Sequence, residues 1–233
     1  MSDEGGVAAV DRALTLLDAF KEADQSLTLT ELSKRVGFYK STTLRLAESL
    51  ERFGYLRRLD DGAFRLGPKP LFLGSLYQKH FKTADFVPQV LRKIVDELQE
   101  SASFFIRDDN QRVCLHRVDS PRAIRDSIQE GARLPLTAGA SAHVILAFNG
   151  LSGAKYDQIR ERLFAVSLGE RDPETAAIAC PVFTVEQKLS GAISVSGPKY
   201  RFEKINTAKI VEVLHQHCKE LSEALGGRWP HKA

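Results

Sequence analysis

Between Val7 and Phe20 apolar residues recur at helical spacing: Val10, Leu14 and Leu17, with Ala13, Leu16 and Phe20 widening the stripe. The spacing predicts a helix with one face for a core. Thr28 or Thr30 can cap a following short helix that stops at Gly37. Ser41 offers a cap for a longer helix with Leu44, Leu46, Leu50 and Phe53 as its apolar positions and Gly54 as its end. Tyr55 to Arg58 and Ala63 to Leu66 read as two short strands around Asp61-Gly62, a strong tight-turn signal. Two short helices around a turn, then a small hairpin, is the layout of a winged helix-turn-helix.

Gly67, Pro68 and Pro70 mark a boundary, followed by a connecting helix from Leu71 to Phe81. Phe86 and Pro88 open another helix that runs to about Glu100. From Ala102 the period changes. Phe104 to Ile106 and Val113 to Val118 flank Asp108-Asp109-Asn110 and read as a hairpin, and Ala123 to Gln129 is a third strand candidate. Ala140 to Phe148 and Tyr156 to Arg162 read as helices, Ala176 to Val185 and Leu189 to Ser196 as a second hairpin, and Glu203 to Leu225 as a long amphipathic helix. Strands flanked by helices at both ends predict an α+β fold with an antiparallel sheet. The domains expected are residues 1–67, a linker helix over 68–84, and a larger domain over 85–233.

Composition narrows the class without naming it. Hydrophobic residues make up 43% and charged residues 27% of the 233, ordinary for a globular chain, and the net charge is only +3. Its distribution says more: from Glu31 to Lys69 nine basic residues stand against five acidic ones. A local basic excess is what phosphate contacts require, although a solvated charged face has the same composition. Cys114, Cys180 and Cys218 are odd in number and far apart, with no Cys/His ligand spacing, so neither a disulfide framework nor a zinc site is expected, and a reducing cytoplasm fits. His116, His215 and His217 form no evident metal set. No cofactor or metal is expected. No apolar run approaches the roughly 20 residues that span a bilayer, so no membrane partner is expected.

The candidate DNA-reading residues follow from the second predicted helix of the turn. Lys40, Ser41, Thr42, Thr43 and Arg45 furnish its N-terminal face with hydroxyls and cations that suit phosphate oxygens or base edges. A helix N-terminus itself favours a phosphate oxygen. Arg57, Arg58 and Arg65 lie on or beside the wing, within reach of flanking backbone or minor groove.

Beyond the expected connecting helix, small polar residues gather at Thr137-Ala138-Gly139-Ala140-Ser141, just where a helix is predicted to start. Backbone N–H groups at such a start make an anion site. Ser194 and Ser196, two apart on one strand, face the same way, either into a pocket or toward sheet and turn partners.

The series Val10 to Phe20, TLTELSKRVGFYKSTTLRLAESLERFGYL, FRLGPKPLFLG, LPLTAGASAHVILAF, AIACPVF and GAISVSGPKYRF resembles the IclR family of bacterial transcription regulators, in that family's order and over nearly the whole chain. The resemblance implies a winged helix-turn-helix, a linker helix and a GAF-like effector-binding domain. It implies homodimers, commonly paired as dimers of dimers, on near-palindromic double-stranded operators. It also implies that backbone groups near Gly139 and Ala140, with Ser141 beside them, hold a carboxylate, and that side chains near Ser167, Ala177, Ser194 and Ser196 complete a pocket for a small organic acid.

Four departures from that pattern stand out. Phe38-Tyr39 replaces a common Leu-Pro, and burial of the two aromatics is favoured over contact with DNA. The stretch from Phe148 to Tyr156 is short. Glu174 stands where glycine is expected, which puts the local turn in question. Ala177 and Ser167 stand where some relatives carry a cysteine and an acid, which argues against copying a small-ketoacid specificity.

Two other functions compete with a ligand-responsive regulator. A thiol or hydrolase-like enzyme domain fused to a DNA-binding module would need a nucleophile beside a base, and Cys180 with His143 is the only pair to test. A DNA binder without a ligand is the other. No catalytic residue is expected. Cys180 reads as a small core residue, and Glu170 as capping a turn rather than contacting ligand.

Overall fold

The computed structural model describes residues 6–21, 23–80, 85–204 and 207–230. The chain divides into two compact units, residues 1–80 and 81–233.

The first unit begins with α1 (Ala8–Asp18), α2 (Leu29–Val36) and α3 (Lys40–Arg52). Thr28 caps α2 in a reciprocal capping box: its side chain accepts from the Glu31 N–H, and the Glu31 carboxylate accepts from the Thr28 N–H. Gly37 closes α2 in the left-handed conformation at φ 71°. The cap of α3 is not Ser41, as the sequence suggested, but Tyr39, whose backbone is extended and whose side chain makes no cap bond. Tyr39 instead offers its carbonyl to the N–H and the hydroxyl of Thr43. The wing consists of β1 (Leu56–Arg58) and β2 (Phe64–Leu66), antiparallel with Arg57 opposite Arg65. Its turn depends on Gly62 at φ 83° and on the Asp61 carboxylate, which accepts from the Ala63 N–H. The core gathers Leu16, Leu32, Leu50, Leu56 and Phe64. Only part of the predicted α1 stripe turns inward: Leu16 is buried, whereas Val10 and Leu14 are exposed. Phe53, another expected core position, is exposed as well. α4 (Lys69–His80) ends this unit with Leu71, Phe72 and Leu76 on its surface. The expected linker helix is thus present to His80, and its last part, residues 81–84, lies outside the described residues.

The second unit starts with α5 (Val87–Leu98), β3 (Ser101–Asp108), β4 (Gln111–Val118) and β5 (Arg133–Pro135). It continues with α6 (Ala140–Phe148), α7 (Ala154–Arg162), β6 (Ala165–Leu168), β7 (Thr175–Phe183), β8 (Leu189–Pro198), α8 (Lys199–Phe202) and α9 (Thr207–Ala224). The six strands form one antiparallel sheet in the order β5-β4-β3-β8-β7-β6. α5 and α9 cover one face through Leu91, Ile94, Ile210 and Leu214, and α6 covers the other with Val144 and Ile145. Alternation along the strands separates the two cores: Ile193 and Val195 of β8 join the first, Ala192 the second.

Three expectations about this unit are corrected. Residues 123–129 form no strand. Their backbone carbonyls are taken by arginine side chains instead of a neighbouring strand, Ile124 by Arg201 and Asp126 by Arg117. The long helix predicted from Glu203 to Leu225 is α9 from Thr207, the short helix α8 before it was not expected, and residues 205–206 lie outside the described set. The edge strands β5 and β6 were not anticipated. The turn at Glu174 forms without glycine there: its N–H donates to Asp172, and Gly169 supplies the left-handed residue at φ 76°. The short stretch after Phe148 is a tight link between α6 and α7 with Gly150 and Gly153 at positive φ.

Candidate DNA-reading surface and ligand cavity

The first unit presents a cationic, hydroxyl-bearing surface. Lys40, Ser41 and Arg45 on α3 are exposed, and Thr42 beside them is half-buried. Thr43 does not share that surface. It is fully buried and its hydroxyl bonds the Tyr39 carbonyl, so the expected contact from its side chain is replaced by a role in starting the helix. Arg57, Arg58 and Arg65 on the wing are all exposed. Arg57 and Arg65 are direct cross-strand neighbours, an arrangement of like charges that costs folding free energy. Arg58 lies with its Cζ 5.7 Å from the centre of the Phe64 ring, which fixes its stem on the wing. The favoured burial of both aromatics before α3 holds only in part. Phe38 is half-buried with Arg12 6.0 Å from its ring centre, whereas Tyr39 is 87% exposed.

In the second unit all seven residues singled out for a pocket surround one cavity of about 30 Å³ that opens to solvent: Gly139, Ala140, Ser141, Ser167, Ala177, Ser194 and Ser196. Strand register explains why. Ser167 lies opposite Ala177, and Ala177 opposite Ser196, so the three form a row across β6, β7 and β8. Ser194 follows on the same face, two residues away. Gly139 is required by the backbone as well as by space. Its φ is 101°, and a Cβ there would come within 2.9 Å of Arg112 Nη2.

Three charged residues that sequence reasoning missed also line this cavity: Arg112, Asp126 and Arg171. Arg112 is buried in β4, with its guanidinium 5.5 Å from the Phe105 ring centre. It donates through Nη1 to the carbonyls of Pro135 and Ala138. Burial, with the neighbouring charge of Arg171, lowers its pKa to about 10, so it remains a cation at neutral pH. Asp126 is buried and pairs through Oδ1 with Arg171 at 2.6 Å. The signal for Arg112 was its place in β4 two residues before Cys114 and so on the same face. Asp126 lies in the stretch misread as a strand.

The start of α6 already carries a carboxylate, and it belongs to the chain. Glu170, on the loop after β6, accepts the Gly139 N–H at 3.0 Å and meets His143 Nε2 at 2.6 Å. Lys155 Nζ lies 4.0 Å from its other oxygen. Burial pushes the Glu170 carboxyl upward, but the bonds from Gly139 and His143 and the charges of His143 and Lys155 outweigh it, leaving its pKa below the usual glutamate value. Glu170 thus caps a helix rather than the turn expected of it.

The enzyme alternative finds no geometry. Cys180 belongs to the core beneath α5 and α9, whereas His143 is on α6 across the sheet and is engaged with Glu170. Burial pushes the Cys180 thiol well above its ordinary pKa, the opposite of an activated nucleophile. Among the described residues no three His, Cys, Asp or Glu side chains converge as a metal site, and no helix is long and apolar enough to cross a membrane.

Known proteins resemble both units of the chain. The family model of the IclR helix-turn-helix domain matches residues 9–60. That of the bacterial transcriptional regulator IclR C-terminal domain matches residues 77–156 and 153–223. The HTH-type transcriptional regulator KipR of Bacillus subtilis is 27% identical over 242 residues, covering 93% of this chain and 96% of its own. The crystal structure of the Thermotoga maritima IclR superimposes with a TM-score of 0.78 at 21% identity, over 93% of this chain and 98% of that one. An IclR homologue from Microbacterium hydrocarbonoxydans, crystallised with 4-hydroxybenzoate, does so with a TM-score of 0.73 at 18% identity, over 94% and 99% of the two chains. A helix-turn-helix with an exposed cationic reading helix, a sheet-floored cavity, and matches that cover both in order identify the chain as a DNA-binding member of the IclR family of bacterial transcriptional regulators.

Proposed function

We propose that this regulator binds a near-palindromic operator as a homodimer, paired into a dimer of dimers, and changes its DNA affinity when a small organic acid enters the cavity. Such a protein works in the cytoplasm, and control of a catabolic operon suits it. The observation that carries the reading is the cavity itself, lined by four serines and two arginines from the sheet, α6 and the loop after β6. The ligand in the Microbacterium homologue, 4-hydroxybenzoate, is an organic acid and points the same way.

In this reading residues 1–67 bind DNA, 68–84 connect, and 85–233 bind the effector and oligomerise. Lys40, Ser41, Thr42 and Arg45 enter the major groove, and Arg57, Arg58 and Arg65 hold flanking backbone. Phosphates between Arg57 and Arg65 would relieve their mutual repulsion. The exposed Val7, Val10 and Leu14, spaced along one side of α1, and Leu71, Phe72 and Leu76 of α4 supply apolar surface for a second copy. The effector acts by binding one dimer geometry more tightly than another, with α4 carrying the difference to the spacing of the two α3 helices.

The test has two steps. Thermal stability of the purified protein is measured against aliphatic and aromatic carboxylates, since a ligand of the native state raises stability according to its concentration over its Kd. Operator DNA, selected from random duplexes, is then titrated with and without the acid that stabilises. A saturable shift that disappears in the Ser194→Ala/Ser196→Ala double variant, with altered DNA affinity, supports the reading. Unchanged DNA affinity with the acid bound overturns it.

A further inference from the structure

Resting on the effector reading of the cavity, we propose that its ligand is a hydroxy acid, with the carboxylate held by Arg112 and the hydroxyl donated to Asp126. Two buried atoms of residues that line the cavity carry the argument. Arg112 Nε and Asp126 Oδ2 are buried and have no hydrogen-bond partner among the described residues. One is a donor and the other an acceptor, and both residues line the same space. A buried polar group left unpaired costs free energy that a fitting ligand recovers. A simple carboxylate would satisfy Arg112 but bring only acceptors to Asp126. An acid that also carries a hydroxyl meets both.

The remaining charges select among such ligands. Asp126 Oδ1 is engaged with Arg171 at 2.6 Å, and among the described residues no carboxylate contacts the Arg112 guanidinium directly. The nearby Glu170 carboxylate is held by the Gly139 N–H, by His143 and by Lys155. Its place at the start of α6 shuts that donor to a ligand and turns the incoming carboxylate toward Arg112. The cavity therefore favours a monoanion over a zwitterion. A hydroxyl in place of an ammonium is the matching donor, and the serine hydroxyls of β8 suit further hydroxyls on the same molecule.

The experiment compares acids that differ by one hydroxyl, on the full chain, by isothermal titration: glycolate against acetate, lactate against propionate, glycerate against both, and serine as the zwitterion. The expected result is binding of a hydroxy acid at least about tenfold tighter than its deoxy partner, because a site built around a hydroxyl rejects the analogue that lacks it. Asp126→Ala, which removes the acceptor, should collapse that ratio toward one while the acid itself still binds, and Arg112→Gln should weaken both members of a pair. Equal affinities within about threefold for each pair on the unaltered protein overturn the inference without any variant, as does tighter binding of serine. If no member of the pairs binds but another carboxylate shifts both stability and operator affinity, this inference fails and the effector reading stands. If no acid of any kind binds, both fail.

Discussion

The two units keep their candidate functional groups in opposite environments. In the first, Lys40, Ser41, Arg45, Arg57 and Arg65 are exposed, while the fold is held by Leu16, Leu32 and Phe64. In the second, Arg112, Asp126, Ser194 and Ser196 are buried, and Arg112 also holds the carbonyls that shape the approach to α6. Recognition of a large polyanion can be carried on a surface that folding does not use. Recognition of a small ligand requires its removal from water, so the recognising groups become part of the interior and must be balanced there.

The largest effect should come from a buried charge in the second unit. Glu100 is fully buried and bonds Arg201 through both oxygens, at 2.5 and 2.7 Å. Glu100→Ala leaves Arg201 without that partner and is expected to cost about 3–5 kcal/mol in urea unfolding. A loss within the error of the method would mean that interior charge is dispensable here, and the contrast between the units would weaken. Thr28→Ala is expected to cost about 1 kcal/mol by removing the α2 cap, with operator affinity unchanged once the folded fraction is accounted for. The third effect is on pH dependence. Because the folded pKa of Glu170 is depressed, its contribution to stability is present above the unfolded value near 4.5 and is lost as pH falls through the folded pKa. Glu170→Gln should flatten the stability profile in that acidic window and lower stability by a constant amount near neutrality. An identical acid limb in the variant would show that the cap at Gly139 does not matter to folding. The smallest effect on stability, within about 0.5 kcal/mol, is expected for Arg45→Ala. The same variant should bind operator more weakly and lower the slope of affinity against salt by about one. A large loss of stability there would erase the distinction between the two units.

The same contrast governs how much of the molecule could be read in advance. The helices of the first unit carried period, caps and glycine stops, and the same pattern placed exposed cations on α3 and the wing. What escaped was Tyr39, which caps α3 through backbone conformation alone, and Thr43, whose hydroxyl points back to that cap. In the second unit the main strands were legible from alternation. β5 and β6 were not, being three and four residues long at the two sheet edges. The serines were found through their spacing on β8. Arg112 and Asp126 were not, because a lone charge in a linear sequence looks like surface until the register places it inside. Residues 123–129 misled for a related reason: backbone partners supplied by Arg117 and Arg201 from elsewhere in the chain leave no trace in local periodicity.

The alternation along β8 has a consequence for how this protein can change. Ile193 and Val195 serve one core, and Ser194 and Ser196 face the cavity between them in sequence. Point changes at the two serines can therefore alter the lining of the cavity while the hydrophobic layer beneath stays as it is. Insertion or deletion of a single residue in the strand has the opposite character, since it exchanges the two faces together. Divergence of the sensor should thus proceed through substitutions at alternate positions of its central strands, and length variation should be confined to loops such as the short link between α6 and α7.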